Sequence, residues 1–245
     1  MGWLDLFPPQ PGCLGCEEKI ISSHISLICN NCLNLMSFRE QGEQQFFSNI
    51  EQHKLLPGAD VSYKFLDSII SPLIYQGLAR DLIRDLKYNK NFMAAVPLSE
   101  LIIKFWLHNN AGEKYSDIIL LPIPLAKGRL QERGFNQAAV IAKLIAHKLS
   151  INFYDQAMLR SRETPPLFEL APGERRDVLQ GVFEIKNAYC HKFDNKVVVL
   201  VDDIITTGST LREAAKIIAA EGAAKVTALT AATAVRQDNM SCSRS

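Results

Sequence analysis

Apolar positions recur at helical spacing in the first half of the chain. Within residues 75–90 (YQGLARDLIRDLKYNK), apolar side chains fall on one face of a predicted helix and charged side chains on the other. The apolar positions of this face are Leu78, Leu82, Ile83 and Leu86. A second helix is predicted near residues 98–107, so the stretch 49–112 is expected to form a helical linker or hood.

From Ser116 onward, short continuous apolar runs alternate with helical patterns. Strands are predicted at residues 117–121, 182–185, 197–201 and 226–232, and helices at 135–149 and 210–221. Gly222 follows the last helix at the position where glycine commonly ends one. This order of elements predicts an α/β domain over residues 113–235, with a mostly parallel sheet and flanking helices. The polar tail, residues 236–245, is expected to be flexible.

Composition limits the classes of function. The chain has 245 residues, 47% of them apolar and 22% charged, which is typical of a globular protein. A formal net charge of +1 gives no electrostatic case for strong nucleic-acid binding. No apolar run approaches the roughly 18 residues of a membrane helix, and the N-terminus lacks a cationic leader. We therefore expect a cytoplasmic protein without membrane insertion.

Four of the six cysteines form two closely spaced pairs in the region 1–48. Cys13 and Cys16 make one C-x2-C pair, and Cys29 and Cys32 make the other. This spacing predicts a small zinc-ribbon-like module in which four thiolates hold a structural Zn²⁺. The alternative is four buried free cysteines. Since Lys19 is the one basic residue between the pairs, a structural or protein-docking role is expected rather than phosphate binding.

The segment 197–211 (VVVLVDDIITTGSTL) carries the chemistry of a phosphate site. A predicted buried strand ends in two carboxylates, and a polar loop then opens a helix. Ligands of parallel sheets bind at the carboxyl ends of strands, and N–H groups at a helix N-terminus suit a phosphate. The candidate ligand-binding residues are Asp202, Asp203, Thr206, Thr207, Gly208, Ser209 and Thr210. Gly208 would let the backbone approach the phosphate.

The two carboxylates predict a second part of the same ligand. Asp202 and Asp203 can accept hydrogen bonds from vicinal hydroxyls or hold Mg²⁺ through water. Groups that bind a diol next to groups that bind a phosphate are suited to a ribose 5-phosphate. The alternative is that these polar residues only cap the helix, as Ser and Thr commonly do. Two acids, four hydroxyls and one glycine are more than capping requires.

The same segment resembles the phosphoribosyl-diphosphate motif of type I phosphoribosyltransferases. Three further features resemble the ComF/GntX family, which is linked to competence and DNA utilisation: LPIPLAKGRLQERGFNQ (121–137), YQGLARDLIRDLKY (75–88) and the paired cysteines. The resemblance implies binding of 5-phosphoribosyl 1-diphosphate with Mg²⁺. It also implies that the loop 122–129, with Lys127, Arg129 and nearby Arg133, meets the diphosphate. The alternative for these cations is a solvated basic face.

Other positions leave the activity open between two classes. The family usually has Gln at the position of Leu167 and Asn at that of Val178, in a stretch that would close over the substrate. These departures favour a non-enzymatic adaptor or nucleotide sensor with protein partners in DNA uptake. The complete motif favours a phosphoribosyltransferase with an unknown acceptor. Lys87 and Tyr88 either face the substrate or simply end their helix.

Overall fold

A parallel sheet forms the centre of the molecule. The structure is a computed structural model that describes residues 12–20, 23, 25–38, 65–109, 117–162 and 180–234. Its six-stranded sheet has the order β1-β8-β7-β3-β4, and β2 follows β1 along the same edge of β8. The strands of this sheet are β1 (Ser68–Ile70), β2 (Leu73–Ile74), β3 (Ile118–Pro122), β4 (Asn152–Phe153), β7 (Val197–Ile205) and β8 (Lys225–Thr233). Every pairing within it is parallel.

Helices cover both faces of the sheet. The α-helices in the described part of the chain are α1 (Asn30–Asn34), α2 (Gly77–Tyr88), α3 (Ala95–Asn109), α4 (Lys127–Arg133), α5 (Gln137–Leu149) and α6 (Ser209–Ala220). Apolar residues of α2, α3 and α5 share one core cluster with Val199 and Val201 of β7. Apolar residues of α6 share the opposite cluster with Val198 and Leu200. This arrangement confirms the predicted α/β class with a mostly parallel sheet.

Strand β7 is the centre of both cores because it is apolar on both faces. Val198 through Val201 have no measurable exposure, as expected for a strand covered by helices above and below. The strand extends beyond the predicted end at Val201 to Ile205, because β8 continues to pair with it through Asp202 and Ile205. The two acids therefore lie inside the last part of the strand rather than after it.

The predicted strand at 182–185 does not join the central sheet. It forms β6 (Phe183–Ile185), which pairs antiparallel with β5 (Met158–Arg160) in a separate two-stranded sheet. Phe183 is buried and Glu184 exposed, so the strand is apolar on one face only. This pattern suits a ribbon with one solvated face and not a strand between two helical layers.

The described part of the stretch 49–112 contains α2 and α3 as expected, and also β1 and β2. β1 contributes three residues and β2 two to the edge of β8, and runs that short carry little periodic signal. The domain boundaries stay a prediction. The tail 236–245 lies outside the described residues.

The cysteine-containing segment packs directly on the α/β domain. Cys13, Ile28 and Cys32 belong to the same core cluster as Leu82 of α2. The backbone N–H and hydroxyl of Ser26 donate to the Glu100 carboxylate of α3 at 2.7 and 2.9 Å. The segment is therefore part of the molecule's main core and not a separate appendage.

Candidate functional site

The sheet reverses its direction of growth between β3 and β7. The chain passes from β3 to β4 on one side and from β7 to β8 on the other, while β3 and β7 pair with each other. Such a reversal opens a crevice at the carboxyl ends of the two strands, where ligands of open α/β sheets bind. Pro122 lies opposite Val201, and the Ile123 N–H donates to the Val201 carbonyl at 2.9 Å. The loop after β3 thus begins beside Asp202 and Asp203.

The two acids are close together and largely shielded from water. Asp203 is 4% exposed, and Asp202 is partly buried. The Asp203 N–H donates to Asp202 Oδ1 at 2.8 Å. Strand alternation places Asp203 on the face of Val199 and Val201, where α2 packs. Lys87 at the end of α2 reaches it, with 2.6 Å between Lys87 Nζ and Asp203 Oδ2.

The electrostatics of Asp202 follow from this burial. Burial raises its pKa to about 8, the neighbouring Asp203 charge adds to the increase, and the Asp203 N–H and the Lys87 charge act against it. Below that pKa, Asp202 is mostly protonated while Asp203 is paired with Lys87. Some ligands, such as a cation or the hydroxyl groups of a sugar, would bind to the ionised form of Asp202. Their binding at neutral pH would therefore cause Asp202 to release a proton.

The turn from β7 into α6 combines a helix N-terminus with hydroxyl side chains, which are groups that can bind a phosphate. Gly208 has a φ of 68° and is the N-cap of α6, a 12-residue helix. The first N–H groups of such a helix have no acceptor within the helix and attract an anion. The hydroxyls of Thr207 and Ser209 are 2.9 Å apart. Around them, Thr206 is exposed, Thr207 and Thr210 are partly buried, and Gly208 and Ser209 are buried.

The predicted diphosphate loop leads into α4, which carries the three candidate cations. Lys127 is exposed and Arg129 is partly buried. Arg133 has a role in the fold itself: its Nη1 donates to Gln137 Oε1 at 3.1 Å, and its guanidinium lies 5.3 Å from the centre of the Tyr88 ring. Arg133 therefore connects the end of α2 to the start of α5.

The end of α2 forms a wall of the crevice. Besides the Lys87–Asp203 pair, the Phe92 ring after this helix packs edge-on against Phe135, with centroids 4.8 Å apart. The sequence left open whether Lys87 faces a substrate or only ends its helix. A signal was present in the spacing, since Lys87 lies one turn after the buried Ile83 and so borders the buried face of α2.

The four paired cysteines converge at one point. The Sγ atoms of Cys13, Cys16, Cys29 and Cys32 all lie within 4.8 Å of one another. Cys16 and Cys29 sulfurs are 3.8 Å apart, and tetrahedral bonds of about 2.3 Å would place zinc-bound sulfurs at about that separation. Gly15 is needed for space, because a Cβ there would lie 2.8 Å from the Cys32 Sγ. The donor set fits a closed structural metal site.

Backbone N–H groups prepare this cluster for a cation. Burial raises the pKa of Cys13, but the N–H groups of Cys29, Gly15 and Cys16 have the larger combined effect and lower it to about 6. Burial and the neighbouring thiols raise the pKa of Cys32. One thiolate thus forms readily at neutral pH, and a metal ion would be required for all four to ionise together.

The remaining candidate positions are less informative. Cys190 is partly buried and lies outside the cysteine cluster, and Cys242 lies outside the described residues. Leu167 and Val178, where the chain departs from the family pattern, also lie outside them. Arg160 lies in β5 with its guanidinium 5.8 Å from the Phe183 ring centre.

Comparison with known proteins identifies the class of this domain. Residues 137–242 match the phosphoribosyl transferase domain, a span that includes β7, the polar turn and α6. The α/β fold and the polar turn at the end of β7 agree with that match. The chain therefore contains a phosphoribosyl transferase domain.

The relatives in this class are competence and DNA-utilisation proteins. The DNA utilization protein YhgH of Escherichia coli O157:H7 is 31% identical over 147 residues, which cover 59% of this chain and 63% of the relative. Competence protein F of Haemophilus influenzae is 33% identical over 99 residues, covering 40% and 43%. Competence protein ComFC of Bacillus subtilis is 32% identical over 116 residues, covering 46% and 43%. These matches support the resemblance of the chain to the ComF family.

The matches leave part of each relative uncovered. The aligned segment spans less than two thirds of the length of each of these three proteins. Within the described part of this chain, no helix has the length and apolar character needed to cross a lipid bilayer.

Proposed function

We propose that the chain binds 5-phosphoribosyl 1-diphosphate with Mg²⁺ in the crevice between β3 and β7. One observation carries this proposal: the acid pair at the end of β7 is followed directly by the N-terminus of α6, at the point where the sheet reverses. In this arrangement the 5-phosphate meets the N–H groups and hydroxyls from Thr206 to Thr210. Asp202 and Asp203 accept hydrogen bonds from the ribose hydroxyls.

The diphosphate would extend toward the loop after β3. Lys127 and Arg129 on α4 supply positive charge there, and Arg133 holds the crevice wall through Tyr88 and Gln137. The acid pair, through water, and the diphosphate oxygens are suitable ligands for Mg²⁺. When bound, Mg²⁺ would stabilise the negative charge of the leaving diphosphate.

We further propose that the bound ligand is a substrate. An acceptor nitrogen would attack ribose C1, the bond from C1 to the diphosphate oxygen would break, and diphosphate would leave with the electron pair. The acceptor nitrogen would lose its proton to solvent, since we identify no general base for it among the described residues. The protein would contribute by holding both reactants in place and by stabilising charge.

The second candidate is a nucleotide sensor or adaptor in DNA uptake or utilisation. The names of the relatives favour that context, as the matched proteins are competence and DNA-utilisation proteins. In this alternative the site binds the same ligand without turnover, and protein partners receive the signal. Both candidates agree with a cytoplasmic location and with zinc bound by the four cysteines.

The two candidates differ in the release of diphosphate. We expect purified protein with 5-phosphoribosyl 1-diphosphate and Mg²⁺ to release diphosphate faster in the presence of one member of a panel of purine and pyrimidine bases. A coupled phosphate assay measures this release. The Asp202→Asn variant is the control, because it keeps the shape of the acid. Ligand binding without release for every base would support the sensor instead.

A further inference from the structure

Lys87 is a partly buried cation whose position is unlike that of an ordinary lysine near a helix end. Its side chain is 14% exposed, and that of its partner Asp203 is 6% exposed. For comparison, Lys148 at the end of α5 pairs with Glu100 at 3.7 Å while its side chain is 65% exposed. Stabilising a helix end does not require burial of the ammonium group, and burial of a charge is costly unless it is paired. Lys87 therefore does more than end α2.

Packing fixes the direction of Lys87. Leu82, Ile83 and Leu86 hold α2 against the sheet with at most 1% exposure. The chain just before α2 is tied to the sheet as well, since the Tyr75 N–H donates to the Thr233 carbonyl at 2.8 Å. At the other end, Arg133 lies over the Tyr88 ring. Because both ends of α2 are held in place, the position of the helix directs the Lys87 side chain toward Asp203.

The ammonium group occupies a coordination position that the proposed ligand needs. Lys87 Nζ lies 2.6 Å from Asp203 Oδ2, so a cation or its bound water cannot approach that oxygen without moving the lysine. The same ammonium lies at the crevice between β3 and β7. If the Lys87 ammonium group is displaced from Asp203, it can pair instead with the negative charge of the ligand in the crevice.

We propose that Lys87 is the counter-ion of Asp203 in the ligand-free protein and that a magnesium-bound ribose phosphate displaces it. This inference rests on the proposed function of the site. Lys87 acts as a positioning residue: it pairs with Asp203 and fixes the orientation of that side chain while the crevice is empty. It also selects the metal–ligand complex over free metal, because bare Mg²⁺ has no phosphate with which to compensate the displaced ammonium group.

Metal affinity without ligand tests this role. Mn²⁺ replaces Mg²⁺ as a probe and is followed by electron paramagnetic resonance. We expect Lys87→Met to bind Mn²⁺ at least about tenfold more tightly than wild type, because a repelling charge beside the acids is gone. Lys87→Arg keeps the charge and should match wild type, as should Lys143→Met, which changes an exposed lysine of α5. Unchanged or weaker Mn²⁺ affinity in Lys87→Met would overturn the proposal.

A second measurement uses the unmodified chain and does not depend on the folding of a variant. The paired Lys87 ammonium should give a protected ¹⁵N nuclear magnetic resonance signal in the free protein. Addition of Mg²⁺ and 5-phosphoribosyl 1-diphosphate should shift this signal. A signal that stays unchanged while calorimetry shows ligand binding would overturn the inference but leave the proposed function intact. Absent ligand binding, together with tighter Mn²⁺ binding by Lys87→Met, would reject the proposed function and support the counter-ion role.

Discussion

Purified protein should contain about one zinc ion per chain, and Cys32→Ser should lower its melting temperature by about 10 °C. The effect is expected to be large because Cys32 is 8% exposed and belongs to the core cluster that includes α2 and α3. Loss of the metal would free the three remaining cysteine thiolates and remove the support of the whole segment. Elemental analysis and thermal unfolding followed by circular dichroism measure the two quantities.

A matched variant separates metal loss from loss of a thiol. Cys190→Ser removes a partly buried cysteine outside the cluster and should leave both zinc content and melting temperature unchanged. If protein prepared with zinc and without chelators contained no metal, the cluster would instead be four free cysteines. If Cys32→Ser lost zinc but melted as wild type, the metal would be bound without supporting the core.

Gly208→Val should reduce affinity for ribose 5-phosphate by about 100-fold, roughly 3 kcal/mol. Gly208 has a φ of 68° at the start of α6, a backbone conformation that a β-branched residue adopts only with strain. The turn would have to change, and the N–H groups that are proposed to face the phosphate would move with it. The added side chain would also occupy the path of the phosphate.

Gly208→Asn is the control for this variant, because Asn tolerates the left-handed conformation better than other side chains. We expect Asn to retain more affinity than Val, although it is similar in volume. Calorimetry with ribose 5-phosphate makes the comparison, and thermal unfolding establishes that both variants are folded. If the two variants bound the ligand as well as wild type does, the turn would not be the phosphate site.

The sequence predicts the elements whose signals are local. The continuous apolar run before Asp202 identifies β7. The two C-x2-C pairs predict a cysteine cluster, and in the structure the four Sγ atoms lie within 4.8 Å of one another. The polar turn after β7 predicts a helix start, and α6 begins at Ser209. In each case the residues that determine the feature are neighbours in the chain, so their spacing contains the information.

Features that depend on distant partners are not predicted. The pairing of Lys87 with Asp203 depends on the rotation of α2 over the sheet, and the contact of Ser26 with Glu100 joins residues far apart in sequence. Strand β6 gives an alternating pattern that does not identify its partner, which is β5 rather than the central sheet. Sequence periodicity identifies the buried face of an element, but the neighbour on that face is set by the whole fold.

Binding of 5-phosphoribosyl 1-diphosphate, measured by calorimetry with and without Mg²⁺, tests the central claim most directly. We expect wild type to bind the ligand more tightly with Mg²⁺, and both Asp202→Asn and Asp203→Asn to weaken binding by about 1–3 kcal/mol each. The amide keeps the shape of each acid but cannot carry the negative charge that the bound ligand is proposed to require. The result that would contradict the account is a wild-type protein that shows no binding at millimolar ligand with Mg²⁺, or one whose binding is unaffected by either substitution.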